Sequence, residues 1–287
     1  MARRRAVPTR AGGATRFNCS ANIMVLMPVG TPPAPHAARS RTGPARRVNA
    51  VFFDVDFTLI HPGPAFEGEG YRDFAARHGL EVDASRFEEA VRDAAVELER
   101  LQDGAYRPEP FLRYVSRVLI RMGAVGEGIE ACSLQIYDEW ALCHHFTLYD
   151  DVSPTLAALH AAGYRIGLIS NTHRCLDAFQ SHFALEPFIT AAVSSSDHGY
   201  LKPHPSIFRA ALDRIGTSAA DGVMVGDSMT HDIAGARRVG MAAVLLVRSG
   251  QAPESVDGVP VIRTLAELPG LLAEGCGGRR PAQADGS

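Results

Sequence analysis

Apolar and polar positions along this chain follow two rhythms. Short apolar runs fall near 48–53, 165–169, 190–194, 222–226 and 243–247, with a weaker one at 259–262. Each has the length and composition of a strand. Between them, apolar residues recur at helical spacing near 153–162, 174–182, 204–215 and 231–239, and a last helix is predicted over 264–273. Strand and helix in alternation predict a doubly wound, Rossmann-like α/β core with parallel pairing and right-handed crossovers.

Residues 61–150 break that rhythm. They show no strand pattern, only helical spacing, as in Phe87, Ala90, Val91, Ala94, Ala95 and Leu98, or in Phe111, Leu112, Val115, Val118, Leu119 and Met122. The pattern predicts four helices, near 66–78, 84–102, 108–122 and 126–144. The chain therefore divides into a core of 48–60 with 151–274 and an all-helical insert of 61–150. Linkers near 60–65 and 145–152, the first with Pro62, Gly63 and Pro64, are the hinge candidates. Residues 1–47 carry nine arginines, no acid, and much Pro, Gly and Ala, so they are expected to be a disordered extension. A targeting segment, or a start at Met24 or Met27, are the alternatives. A frayed tail is expected over 275–287.

Charge sharpens the picture. The net charge of −3 hides an acidic body: without the first 47 residues, 20 basic side chains face 32 acidic ones, or −12. Such a body does not suggest nucleic-acid binding, and no stretch has the length of a membrane span. The five cysteines (19, 132, 143, 175 and 276) are scattered without any Cys-x-x-Cys, which fits neither a disulfide framework nor a zinc site and makes a reducing cytoplasm the default. His144 and His145 are adjacent, and on a helix would point about 100° apart, a poor chelating pair. Oligomeric state leaves no mark in the sequence.

Chemistry gathers at four strand ends. Val51-Phe-Phe-Asp-Val-Asp-Phe-Thr-Leu59 delivers Asp54 and Asp56 at the C-terminal end of a short strand, where open parallel sheets place their sites. Two crowded carboxylates repel unless a cation or a shared proton intervenes, so the pair reads as a metal site, an acid/base couple, or both. Ile166 to Thr172 ends in Ser170 and Asn171, donors suited to phosphoryl oxygens or to a helix cap. Lys202 is the only lysine in the chain; where arginine has replaced every other one, a surviving point charge points to a role that a planar fork cannot fill. Val223-Met-Val-Gly-Asp-Ser228 ends in Asp227, with Asp232 five residues on, a carboxylate pair suited to a hard cation such as Mg²⁺.

In that order, Asp-x-Asp, Ser-Asn, Lys and Gly-Asp-x4-Asp resemble the haloacid dehalogenase superfamily, over roughly residues 48–250. The helical insert resembles the small cap of that family's first cap class, which closes over the strand ends. The resemblance implies that Asp54 is a nucleophile forming an aspartyl-phosphate. Asp56 would be the general acid/base, Ser170 and Lys202 would hold the phosphoryl group, and Thr58 and Asn171 would be secondary contacts. It also implies Mg²⁺ held by Asp54, the Asp56 carbonyl and Asp227, with Asp232 in support. The substrate would be a small phosphorylated metabolite. Asp56 favours a phosphate ester, because the dehalogenase branch lacks that residue and a halide leaves unprotonated. The phosphonate-cleaving branch needs a cap lysine, and this insert has none. A phosphomutase of the β-phosphoglucomutase kind, a dehalogenase and a binding module without turnover are the alternatives. One departure stands out: the family has Gly after the second Asp, and here it is Phe57. His61, Phe66, Tyr71 and Arg72 are the candidates for substrate choice.

Overall fold

The computed structural model describes residues 48–99, 104–250 and 253–274; the expected extension and tail lie outside them. The chain opens on β1 (Ala50–Phe53) and passes through β2 (Ile60–Pro62) into helices α1 (Gly68–Arg77), α2 (Phe87–Ala94), α3 (Val96–Glu99), α4 (Glu109–Arg121) and α5 (Gly128–Trp140). It returns by β3 (Phe146–Leu148) to α6 (Val152–Ala161), β4 (Arg165–Ser170), α7 (Leu176–His182) and β5 (Ile189–Ser194). The short α8 (Ser195–His198), then α9 (Pro205–Ile215), β6 (Gly222–Gly226), α10 (Ala234–Val239) and β7 (Ala242–Leu246) follow. The chain closes on β8 (Ser255–Val256), β9 (Val259–Ile262) and α11 (Leu268–Ala273).

Seven strands form one sheet in the order β5-β4-β1-β6-β7-β9-β8, parallel except for the β8–β9 pair at the edge. This is the doubly wound α/β fold that the alternating pattern predicts. Strand β1 is its centre, with Phe53 in register with Leu168 on one side and Val225 on the other. The winding reverses beside β1, so the crevice at the strand C-termini opens there. Alternate β1 residues feed opposite faces. Val51 and Phe53 join the larger core, which also holds α6 and the insert helices, while Ala50 and Phe52 pack with Phe208 and Ile215 of α9 and Ala236 of α10. Gly167 permits that second packing: a Cβ there would lie 2.7 Å from Phe52 and 2.8 Å from Ile215.

The insert differs in detail from its expected four helices. The second breaks at Ala95 into α2 and α3. The fourth stops at Trp140, and Cys143–His145 form a separate 3-10 turn. The two linkers hold strands that the sequence pattern does not show: β2 and β3 pair antiparallel, with His61 opposite Thr147. Three-residue strands are too short to leave a period of two. The helix expected near 231–239 begins as a π turn over Met229–Ile233 before α10. No helix among the described residues is long and apolar enough to cross a membrane.

Candidate active site

Asp54 follows directly on β1, and its backbone N–H donates to Val225 O at 3.0 Å, holding it against the end of β6. Its carboxylate is buried with that of Asp232, and the Lys202 ammonium lies between them, 2.5 Å from Asp54 Oδ1 and 2.7 Å from Asp232 Oδ1. Asp227 completes the group: carboxylate oxygens of Asp54, Asp227 and Asp232 all lie within 4.8 Å of one another. Asp232 also accepts from the Ser228 N–H at 3.0 Å, so it is a buried, tied-down group rather than a free charge at a helix start. Gly226 makes room for it: a Cβ at that position would fall 2.3 Å from Asp232 Oδ2.

Charge in this cluster does not balance. Three carboxylates against one ammonium leave −2. Burial raises the Asp54 carboxyl above its ordinary range; the Lys202 charge opposes that and the Asp232 charge reinforces it. Asp227 is raised well above that range by desolvation and then by the charges of Asp54 and Asp232, although as a residue it stands open to solvent at the rim. Lys202 loses hydration in the same place, yet its two carboxylate partners more than compensate and hold it protonated. Packed oxygen ligands with a residual charge of −2 fit a hard divalent cation such as Mg²⁺.

Asp56 stands apart. Its side chain is not part of that cluster but bonds to Arg174, whose Nη1 lies 2.9 Å from Asp56 Oδ1. Burial raises the Asp56 carboxyl, and the Arg174 charge opposes the rise. Phe57, next along, adopts φ of +63°, the left-handed region that glycine enters freely and that costs another residue about 1–2 kcal/mol. The turn thus keeps a glycine-like backbone with a Phe side chain, whose ring lies 6.4 Å from that of Trp140.

Two of the predicted phosphoryl contacts share an unusual property. The hydroxyls of Ser170 and Thr58 are buried and have no hydrogen-bond partner among the described residues. Buried polar atoms are nearly always paired, so each such orphan calls for an explanation. Asn171 bonds to the backbone of the lysine. Its amide nitrogen donates to Lys202 O at 3.0 Å and its amide oxygen accepts from Lys202 N at 2.7 Å. Each end of the amide thus helps to hold the lysine in place.

Of the residues proposed for substrate choice, Phe66 and Tyr71 are buried in the insert's core, with Phe66 packed on Trp140 and Phe146. Arg72 is exposed and paired with Glu69, and His61 sits in the ribbon against Tyr149. The adjacent histidines also differ from expectation. On a 3-10 turn rather than a helix, His144 and His145 bring their rings to 4.0 Å and form a group with Glu139, whose carboxylate lies 2.6 Å from His145 Nε2.

Two arginines escaped the sequence reading. Arg174 is fully buried, and Arg248 donates to the Thr58 carbonyl at 2.7 Å and forks onto Asp151 at 3.0 Å with each of two nitrogens. Neither stands out in a chain with 28 arginines (29 basic residues less one lysine). The insert also touches the lysine's loop: Leu201 N–H donates to Gly104 O at 2.6 Å and Tyr106 N–H to Gly199 O at 2.9 Å.

A family model described as a haloacid dehalogenase-like hydrolase matches residues 48–240, which includes Asp54, Asp56, Ser170, Lys202, Asp227 and Asp232. The chain belongs to that family. It is accordingly an enzyme of the hydrolase class. Among its relatives, a glyceraldehyde 3-phosphate phosphatase of Methanopyrus kandleri is 30% identical over 74% of this chain and 91% of its own length. A ribulose-1,5-bisphosphate 5-phosphatase of Halopiger xanaduensis is 29% identical over 78% and 99%. The crystal structure of a HAD phosphatase from Thermococcus onnurineus superposes with a TM-score of 0.56 at 26% identity, covering 78% of this chain and 98% of that one.

Proposed function

We propose that this hydrolase is a Mg²⁺-dependent phosphatase that cleaves a small phosphorylated metabolite through an aspartyl-phosphate on Asp54. The observation that carries this reading is the cluster of Asp54, Asp227, Asp232 and Lys202, buried except for Asp227, together with the hydroxyls of Ser170 and Thr58, buried without a partner among the described residues. Negative charge in excess on one side and unused donors on the other suit a metal and a phosphoryl group together. The phosphatases among its relatives agree with a small phosphate ester as substrate.

In this reading an Asp54 oxygen attacks phosphorus, a P–O bond to Asp54 forms, and the bond to the substrate's own oxygen breaks. Asp56 gives its proton to that leaving oxygen, then takes one from the water that cleaves the aspartyl-phosphate. A positioned acid/base of this kind contributes about 10² to 10⁴ in rate. Ser170 and Lys202 hold the phosphoryl oxygens, Thr58 adds a hydroxyl, and Asn171 keeps Lys202 aimed. Asp54, Asp227 and Asp232, with the Asp56 carbonyl, would hold the Mg²⁺. When bound, the ion offsets the excess negative charge and so lets an anionic phosphate approach Asp54. The insert, as a cap, would screen the site from bulk water. The setting is a reducing cytoplasm, in keeping with free thiols at Cys132, Cys143 and Cys175.

Phosphate release from p-nitrophenyl phosphate, with Mg²⁺ and with EDTA, tests the reading. Release that needs Mg²⁺ and vanishes in Asp54→Asn is the expected result. Metal-independent release, or an Asp54→Asn variant as active as the parent, would overturn it.

A further inference from the structure

The Arg174 guanidinium meets three places in the chain: the loop after β1, the end of α5, and β3. Its side chain is wholly enclosed. Nη1 donates to Asp56 Oδ1 at 2.9 Å, in the loop after β1. Nη2 donates to the carbonyl of Trp140 at 2.7 Å, at the end of the insert's last helix. The plane lies over the ring of Phe146 in β3, with Cζ 4.3 Å from the ring centroid. Its own backbone N–H is bound by Thr172 Oγ1 at 3.0 Å, just beyond the end of β4. Nε has no partner among the described residues.

A buried guanidinium costs several kcal/mol in lost hydration unless it is paired and bonded. A core that needed only stability could fill this space with apolar groups, so the charge calls for another explanation. Its geometry supplies one. The guanidinium is a rigid fork, and two nitrogens on one plane fix the relative position of the two oxygens they hold. Here those oxygens belong to Asp56 and to the end of α5. Trp140 carries the coupling further, because its ring packs on Phe66 and Phe146 and lies near Phe57, the neighbour of Asp56.

We propose that Arg174 is the positioning residue of Asp56, and that through the Trp140 carbonyl it makes the placement of the acid/base depend on the seating of the helical insert. It rests on the phosphatase reading above. Arg174 exchanges no proton. It holds Oδ1 of Asp56 and leaves Oδ2 to give a proton to the leaving oxygen as the P–O bond breaks. A displaced α5 pulls the fork, and Asp56 with it, out of line. Arg174 therefore matters most where the leaving oxygen needs its proton.

Leaving-group dependence tests this. Phenyl phosphate and p-nitrophenyl phosphate have nearly the same shape, but the nitro group stabilises the departing oxygen and relieves it of the need for a proton. In Arg174→Met and Arg174→Lys, kcat/KM for phenyl phosphate is expected to fall by roughly 10²-fold, the lower end of what a positioned acid contributes, and far less for p-nitrophenyl phosphate. Lysine keeps the buried charge without the fork, so it separates geometry from charge and serves if the Met variant does not fold. Asp56→Asn should show the same split, and adding Arg174→Met to it should cost almost nothing more, because residues that act as one unit are not additive. Equal losses on both esters, or losses that add in the double variant, would overturn the proposal and leave Arg174 a packing residue. A parent enzyme that turns over neither ester with Mg²⁺ would overturn the phosphatase reading itself, and this inference with it.

Discussion

At the strand ends three carboxylates share one ammonium, whereas in and around the insert several acids are met by arginines. Asp93 bonds to Arg117 and Arg121, Asp56 to Arg174, and Asp151 to Arg248. The first arrangement is unbalanced and, apart from Asp227, buried; in the others each carboxylate is met by guanidinium charge. A balanced pair is a strut. An unbalanced cluster, held together by packing against its own repulsion, is the mark of a site that takes a charged ligand. The two regions also use different cations for physical reasons. A lysine is a point charge that fits between two carboxylates, while an arginine is a fork that spans two anchored oxygens. Asp56 lies on the border, a core residue held by an arginine that also grips the insert.

The most direct way to break this contrast is to remove the nucleophile. Asp54→Asn is expected to lower phosphate release by roughly 10⁴-fold or more, the scale seen when a covalent nucleophile is lost. The next sharpens it. Lys202→Arg keeps the charge but asks a fork to occupy the place of a point, and kcat/KM should fall by about 10²-fold with the fold retained, as judged by thermal unfolding. Third comes Gly226→Ala, which puts a Cβ against Asp232. It should raise the Mg²⁺ concentration for half-maximal activity by about 10-fold or more, the scale of a disturbed ligand support, so an unchanged titration would remove Asp232 from the metal set.

A smaller effect tests the pairs with arginine. Burial alone would raise the Asp151 carboxyl, but the Arg248 fork, the Thr264 hydroxyl and the Leu265 N–H outweigh it and hold the group below the usual range. A carboxyl lowered by folding adds stability that is full above its unfolded pKa, about 3.9, and is lost as pH falls through the folded value. Denaturant unfolding from pH 7 to 3 should therefore show a loss below pH about 4 that is reduced in Asp151→Asn. That variant should also be weaker at pH 7 by roughly 1.5–3 kcal/mol, as for a lost charged hydrogen bond. The smallest expected change is Phe57→Gly. Relief of the left-handed backbone, about 1–2 kcal/mol, is offset by glycine's extra freedom when unfolded and by the lost ring packing on Trp140, so the unfolding midpoint should barely move.

How much of this was legible follows the same division. Asp54, Asp56, Asp227 and Asp232 stand within six residues of apolar strands, and a strand end is a local signal. Lys202 stood out by its rarity. The insert's helices could be read from spacing, but the β2–β3 ribbon could not, because three residues hold too little pattern and its partners lie 86 positions apart at His61 and Thr147. Arg174 was opaque for a related reason. Its meaning lies in oxygens 118 and 34 residues away, and nothing near it in the sequence distinguishes it from the other arginines. Asn171 was placed beside the substrate by its neighbour Ser170; only the fold shows both ends of its amide turned to Lys202.

The solitary lysine has a practical consequence. It is 3% exposed and sits between two acids, so the native protein offers amine-directed reagents no accessible side-chain target. An acylating label at a side chain can then be gained only when the loop after α8 lifts away from the strand ends. The rate of that single mass increment, followed on the intact chain, would time the opening of the site without any substrate.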